Sequence, residues 1–528
     1  MENVPQYSVH DFVLAVEPPG DGNPFLSRVT ASFEHESGLK ITDVPGFYDG
    51  GDRYIVRFAP NRPGKWTGVV SSDRPALDGR ELDAVECVAA ETCAVRGVIG
   101  IDPRNSRRLA WEDGTPFVLL GFECDWLFSY HQRNPDDCAR RLDRLLERGF
   151  NCIVMNIYAH TGFSRAEHRP DDERPSCEEC IYGPPDMYVF GGTNEEPDHS
   201  RLNVDFFRDY DAMMALLHER GIVAHIMIQV QNKKVNWPAR RSVEDDLYWS
   251  YVVARYQAFG NVVWDIGKEC FYFFKETGGH DYTLDRIELV RRNDAYHHLV
   301  TAHDPAGHGP GTVCEVDEAC DFVSDQIHVG DCGVYNREAI AKQRALPQPY
   351  LNIEYGYEEG AEQLKTYRGG TTAEWQSVLK WTWSIYAAGA YACYYYCNTA
   401  WDLVKFDPEP EGWARYAHLR RFLSSLPFNG MAPANDMVDR GFCLASPGDT
   451  YFVFLCDGGD VELDLSAVPG RADERSETRW DGVTVGALWL DIFTGEEIEQ
   501  EVTPAGFRTR FENPLPRRDT PCAVRVGC

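Results

Sequence analysis

The sequence predicts a multidomain α/β plus all-β protein, in which a central (β/α)8 TIM barrel is flanked by N-terminal and C-terminal antiparallel β-sandwich domains. Three observations predict it. Residues 1–97 and 429–528 read as short β-rich runs broken by Gly, Pro and Asp, whereas residues 98–428 alternate apolar runs with amphipathic stretches. The apolar runs of the middle segment number eight, the count that closes such a barrel. The 528-residue length, with 43% hydrophobic residues, suits about three domains, one of them a large barrel.

The N-terminal segment supplies FVLAVEP, RVTASFEHESG, GFYDGGDRYIVRFAPNRPGKWTGVVSS and AVECVAA, and the alternation Tyr54-Ile55-Val56-Arg57-Phe58 between turn residues marks a half-buried strand. The barrel runs are FVLLG (117–121), CIVMN (152–156), VAHIMI (223–228), VVWDI (262–266), HLVTA (298–302), FVSDQI (322–327), YLNIE (350–354) and AYACYYY (390–396). Between them lie helical patterns such as DDCARRLDRLLERGF and FFRDYDAMMALLHERG. Each meets a glycine just before the next strand, as a helix C-terminus requires. The polar, Pro- and Gly-rich insertion Ala159–Ser200 follows the second strand and is expected over the barrel's C-terminal face as a lid. From residue 430 the β pattern returns in GFCLAS, YFVFLCDG, VELDLS, ALWLDIFTG and CAVRVG.

Composition narrows the function classes. Asp and Glu number 83 against 52 Lys and Arg, a net charge of −31. That disfavours nucleic-acid partners and anionic membrane surfaces, both of which are bound through clustered basic residues. The start MENVPQYSVHDFVLAVEPPGDGNPF lacks the basic-then-apolar pattern of a secretory signal, so a cytoplasmic protein is expected. The 17 cysteines are scattered, many within apolar runs, and are expected to be reduced and buried. Cys177-Glu-Glu-Cys180 stands alone without a second pair, which makes it a weak zinc candidate, and no cofactor is expected.

In a barrel of this kind the chemistry sits where strands end. Glu269 follows the fourth strand in NVVWDIGKEC, and Glu354 ends the seventh in PYLNIEYGYE. Two carboxyl groups facing each other across a ligand suit glycoside cleavage. One protonates the departing oxygen while the other attacks or activates water, and a separation of about 5–5.5 Å accompanies retention. The aromatic-rich surroundings of Glu269 (Trp264, Phe271, Tyr272) favour a protonated acid, and Tyr355 beside Glu354 offers a phenol hydrogen bond to an ionised carboxylate.

WDIGKE and YLNIEYGYE resemble the acid/base and nucleophile motifs of the clan of retaining (β/α)8 glycoside hydrolases with glutamates after strands four and seven. FVLLGFECDWLF and RLNVDFFRDYDAMMALLHERGI resemble the apiosidase-like group of that clan, and GFYDGGDRYIVRFAPNRPGKWTGVVSSDRPALDG is similar to the β-sandwich module that often precedes such barrels. The resemblance implies a retaining glycosidase with Glu269 as general acid/base and Glu354 as nucleophile. One departure stands out: Lys268 occupies the position where most of the clan has an Asn that contacts the sugar 2-hydroxyl. A lysine accepts no hydrogen bond, so it either pairs with a neighbouring carboxylate or meets an acidic or unusual sugar.

Other strand ends supply a sugar-binding lining of amides, carboxylates and aromatic faces. These are Asp125 and Trp126 after strand one, Asn156, Tyr158 and His160 after strand two, and Gln229 and Gln231 after strand three. His303 and Asp304 follow strand five, Gln326 and His328 mark strand six, and Asn398, Trp401 and Asp402 follow strand eight. Of Tyr394-Tyr395-Tyr396, the outer two share a face. The expected activity is therefore exo-acting release of a terminal sugar from a small glycoside or oligosaccharide, with self-association through the sandwich domains as a further expectation. Two alternatives stay open: a metal-dependent barrel hydrolase, although the chain has no H-x-H or H-E-x-x-H, and a catalytically inactive carbohydrate-binding protein.

Overall fold

The computed structural model describes residues 1–17, 22–90, 94–160, 180–275, 278–307, 312–360, 372–400, 403–468 and 484–527. Eight parallel strands form the central barrel. They are Leu120–Glu123, Cys152–Asn156, Val223–Val230, Val262–Lys268, Val300–Thr301, Val323–Gln326, Tyr350–Glu354 and Tyr391–Tyr396, here called barrel strands one to eight. Strand one pairs with strands two and eight, and a parallel bridge between His303 and Ser324 joins the fifth to the sixth, so the ring closes. All eight are buried throughout, which is why they read as continuous apolar runs with little alternation.

The helices between them begin and end on local signals. Asn203 accepts a hydrogen bond from the Phe206 N–H at the start of Val204–Glu219, and Ser242 and Asp331 cap Val243–Tyr256 and Cys332–Ala345 in the same way. Gly149 (φ +99°) and Gly221 (φ +64°) take left-handed backbone after Pro135–Glu147 and Val204–Glu219, the conformation that turns a helix end toward the next strand.

Strands three and four each run two residues further than expected, to Val230 and Lys268, and two strands begin more than one residue late. The run FVLLG is split, because Pro116–Phe117 pairs antiparallel with Leu109–Trp111 in a separate three-stranded sheet and the barrel strand begins only at Leu120. Strand one therefore ends at Glu123, two residues beyond the expected Gly121. Strand five is confined to Val300–Thr301, since His298 is held back by its backbone and ring hydrogen bonds to Asp294.

A seven-stranded N-terminal sheet packs around its own core of Phe33, Phe58, Trp66 and neighbours; all its pairings are antiparallel except Glu2–Pro5, which lies parallel to Glu81–Val88. It is locked to the barrel helices by ion pairs. Arg57 binds Asp11 (2.7 Å) and Asp211 (3.0 Å), and Arg255 binds Asp211 (2.7 Å) and Asp49 (3.1 Å), with both arginines buried. The C-terminal segment forms a six-stranded and a two-stranded antiparallel sheet. One face of the larger sheet joins the barrel core, where Phe454 stacks on Trp383 of the helix Trp375–Tyr386 (6.0 Å, 25°). Among the described residues no helix is long and apolar enough to cross a membrane.

Of the insertion expected as a lid, 161–179 lies outside the described residues; its later part contains the strand Phe190–Gly192, paired antiparallel with Pro197–Leu202. Among the described residues thirteen cysteines are free, most of them buried; Cys180 is disulfide-bonded, which corrects the expectation that all are reduced. Cys177 lies outside the described residues.

Candidate active site

Glu354 ends strand seven, is 2% exposed, and is supported from several sides. Its Oε1 accepts from the Tyr357 hydroxyl at 2.5 Å and from Gln326 Nε2 at 3.0 Å, with His328 Nε2 at 3.4 Å. Burial alone would raise its pKa. The His328 hydrogen bond and the positive charge of Lys268 outweigh that and hold the carboxyl below its usual range, hence ionised. Its second oxygen, Oε2, has no hydrogen-bond partner among the described residues.

Glu269 follows the last residue of strand four, on left-handed backbone (φ +52°) that a non-glycine residue rarely adopts. Such strain persists where the surrounding structure enforces it, commonly at functional sites. Here the next residue's N–H is tied to the His303 carbonyl (2.7 Å), and Glu269 Oε2 accepts from the Asn232 amide. The aromatic environment is narrower than expected. Phe271 and Tyr272 are half-buried in the turn after Glu269, but Trp264 donates its indole N–H to Asp294 (3.0 Å), away from the site.

Beside Glu354 lies a buried charge cluster. Lys268 Nζ donates to Asp125 Oδ2 at 2.8 Å and stands 3.8 Å from Glu123 Oε1; Lys233 Nζ, 1% exposed, stands 3.4 Å from the same Asp125 oxygen. Of the two roles open to Lys268, the structure shows the pairing with a carboxylate. Burial would push Asp125 up, but the two lysines pull it below its usual range; Glu123 is driven well up by burial and by the Asp125 charge. The Lys268 ammonium stays protonated because the adjacent carboxyls outweigh its burial.

The remaining expected residues divide. Trp126 is buried beside Lys233, whose ammonium lies 6.0 Å from the ring centroid. Asn156 donates to the Asp125 carbonyl (2.8 Å), and so positions that carboxylate's backbone. Tyr158 contacts His160 Nδ1 (3.3 Å), and His160 faces Glu195 (3.3 Å). His303 is fully buried, which lowers its pKa to about 4 and keeps it neutral, and neither ring nitrogen has a hydrogen-bond partner among the described residues. His328 lies against Tyr357, ring planes 7° apart.

Two residues are turned elsewhere. Gln229 is bonded into the helix layer through Asp245 and Tyr282 (both 3.4 Å), where it helps satisfy a buried carboxylate. Tyr355 points outward to Thr382 (2.6 Å), and the phenol on Glu354 belongs to Tyr357. Neighbouring strand residues face opposite sides, so the adjacent tyrosine is the wrong one. Trp401 and Asp402 lie outside the described residues.

The site also gathers residues that sequence reasoning passed over: Glu123, Asn232, Lys233, Tyr357 and Tyr395. Tyr395 places its ring 5.9 Å from Lys268 Nζ and 4.9 Å from the Tyr357 ring, whereas Tyr394 and Tyr396 pack toward Trp413. Alternation within YYY was the available signal; it leaves the middle tyrosine facing inward.

Comparison with known proteins supplies the family. Residues 103–429 match the family described as apiosidase-like, catalytic domain, and residues 3–73 match a domain of unknown function, DUF5060. No curated protein sequence matches the chain. Among solved structures, a candidate glycoside hydrolase from Bacteroides vulgatus ATCC 8482 is similar at 20% identity and a TM-score of 0.77, with 100% of each chain covered. A family 5 glycoside hydrolase from the same organism aligns at 17% identity and a TM-score of 0.59, covering 82% of this chain and 93% of that one. At such identities the likeness speaks for the fold. The catalytic-domain match spans more than half of the sequence, and the chain belongs to the apiosidase-like family of glycoside hydrolases.

Proposed function

We propose that the protein is a retaining, exo-acting glycoside hydrolase that releases a terminal sugar from a small glycoside or oligosaccharide, with Glu354 as nucleophile and Glu269 as general acid/base. The observation that carries this reading is the state of Glu354, a buried carboxylate kept ionised, with one oxygen fully supported and the other unpartnered at the C-terminal end of the barrel. A nucleophile needs both features: charge, and a lone pair free to attack. In the first step Glu354 Oε2 attacks the anomeric carbon while Glu269, protonated, gives its proton to the departing oxygen. In the second, Glu269 takes a proton from water as that water displaces the glycosyl ester. The left-handed turn and the Asn232 hydrogen bond hold Glu269 in place for both transfers. The buried floor of Glu123, Asp125 and Lys233, which closes the barrel end beside Glu354, supports exo action. The free thiols favour a reducing, cytoplasmic compartment, against which the Cys180 disulfide stands.

The test is turnover of 4-nitrophenyl furanosides and pyranosides by wild type, Glu269→Gln and Glu354→Gln. Each substitution is expected to lower kcat by about 10²–10⁴-fold or more, and proton NMR of the first-formed sugar is expected to show the anomeric configuration of the substrate. Full activity in either variant, or inverted product, overturns the assignment.

A further inference from the structure

Buried polar atoms are almost always hydrogen-bonded, and each exception needs an explanation. Around Glu354 the exceptions gather. Among the described residues, Glu123 Oε2, Asp125 Oδ1, Trp126 Nε1, the Tyr395 hydroxyl and both His303 nitrogens are buried without hydrogen-bond partners, as is Glu354 Oε2 itself. Among the described residues the Lys233 ammonium, with three N–H donors, has as acceptor only the Asp125 oxygen at 3.4 Å. These groups come from strands one, five, seven and eight and from the loop after strand three, so folding has brought them to one place from distant parts of the chain.

The mixture of signs says what fits. Carboxylate oxygens call for donors, and ammonium and indole groups call for acceptors; a sugar hydroxyl is both at once. A carboxylate ligand would satisfy only the donors and would face Glu123, Asp125 and Glu354. Charge gives the same answer. Lys233 and Lys268 face Asp125, and Lys268 also acts on Glu354, so among the described residues no positive charge is left over for an anion whichever state Glu123 adopts.

We propose that Glu123, Asp125 and Lys233 are specificity-determining residues that read adjacent hydroxyls of a neutral glycone, with Glu123 Oε2 and Asp125 Oδ1 accepting from hydroxyls and Lys233 donating to one, and that this floor rejects uronic acids. Lys268 is a positioning residue here, holding Asp125 through its 2.8 Å bond. The proposal rests on the reading of this barrel end as a glycoside site, yet it concerns binding and needs no turnover.

The experiment is thermal unfolding of the full chain with free neutral aldoses and the matched uronic acids as probes, on wild type, Glu354→Gln, Glu123→Gln, Glu123→Leu and Lys233→Met. A ligand that binds only the folded state raises Tm in proportion to its affinity and concentration. At least one neutral aldose is expected to raise the Tm of wild type, Glu354→Gln and Glu123→Gln, while its uronic acid does not. Glu123→Leu and Lys233→Met are expected to bind it about tenfold more weakly, the effect of one lost buried hydrogen bond. If Glu123→Leu does not fold, Lys233→Met carries the same test. A uronic acid that binds more tightly than its neutral partner, wild-type affinity in Lys233→Met, or a wild-type Tm that no neutral aldose moves overturns the proposal. Retained binding in Glu354→Gln separates it from the catalytic assignment, which is read by turnover alone.

Discussion

Tyr357→Phe deletes one hydroxyl from the support of Glu354 and leaves the ring that stacks near His328 and Tyr395. The lost bond is short, 2.5 Å from oxygen to oxygen, and its acceptor is charged. Bonds to charged groups contribute about 1.5–3 kcal/mol. At about 1.4 kcal/mol per unit, the Glu354 pKa should rise by roughly one to two units. The sign follows from the role. Activity on the acid side fails where Glu354 takes up a proton, and its carboxyl now lies below the usual range, so removing a donor moves the acid limb of kcat/KM toward higher pH. The assay is the pH profile of kcat/KM on an aryl glycoside. Tyr355→Phe serves as the control, because its hydroxyl bonds to Thr382 and the limb should stay in place. An acid limb that does not move in folded Tyr357→Phe, or moves down, refutes the reasoning.

Further expectations follow from the same geometry. Lys268→Met removes a charge that keeps Glu354 ionised and the closest partner of Asp125, so its acid limb should also rise and its unfolding midpoint fall, read by pH–rate profiles and urea titration. Asp211→Ala leaves Arg57 and Arg255 buried with one carboxylate each, and should cost about 3–5 kcal/mol in denaturant unfolding. Gly183→Ala places a methyl group 2.4 Å from the Trp126 ring, which must shift; KM should rise more than kcat falls in steady-state kinetics. Asp125, Asp211, Asp294 and Glu354 are all held below their usual range, so their stabilisation is complete at neutral pH and is lost as pH falls below about 4, measurable as a Tm that drops on acidification.

Much of the fold was legible because buried parallel strands leave uninterrupted apolar runs, as CIVMN and YLNIE show, and because Gly149 and Gly221 mark helix ends in any context. What escaped depended on phase or distance. Tyr355 and Tyr357 lie past the end of strand seven at Glu354, where period-two alternation no longer tells which of them faces the carboxylate, and the register shift opposite Asp325 and Gln326 is invisible in a run of letters. The start of strand one was misplaced because Phe117 and Leu120 are equally apolar, although one pairs with Leu109 and the other with Ala392; Glu123 was passed over as a result. Lys233 sits in the loop QNKKVNW without periodicity, and only the folded chain brings it to Asp125.

The shared core has a consequence for how the molecule comes apart. Phe47 and Ile55 from the N-terminal sheet and Phe452, Phe454 and Leu490 from the C-terminal one lie in the same apolar cluster as the barrel. The changes of pattern near residues 97 and 428 are therefore changes of architecture without a break in cohesion. A chain cut after residue 428 should expose the Trp383 face and aggregate, and calorimetry of the intact protein should give one main transition, with the outer C-terminal core around Trp489 as the part able to loosen first.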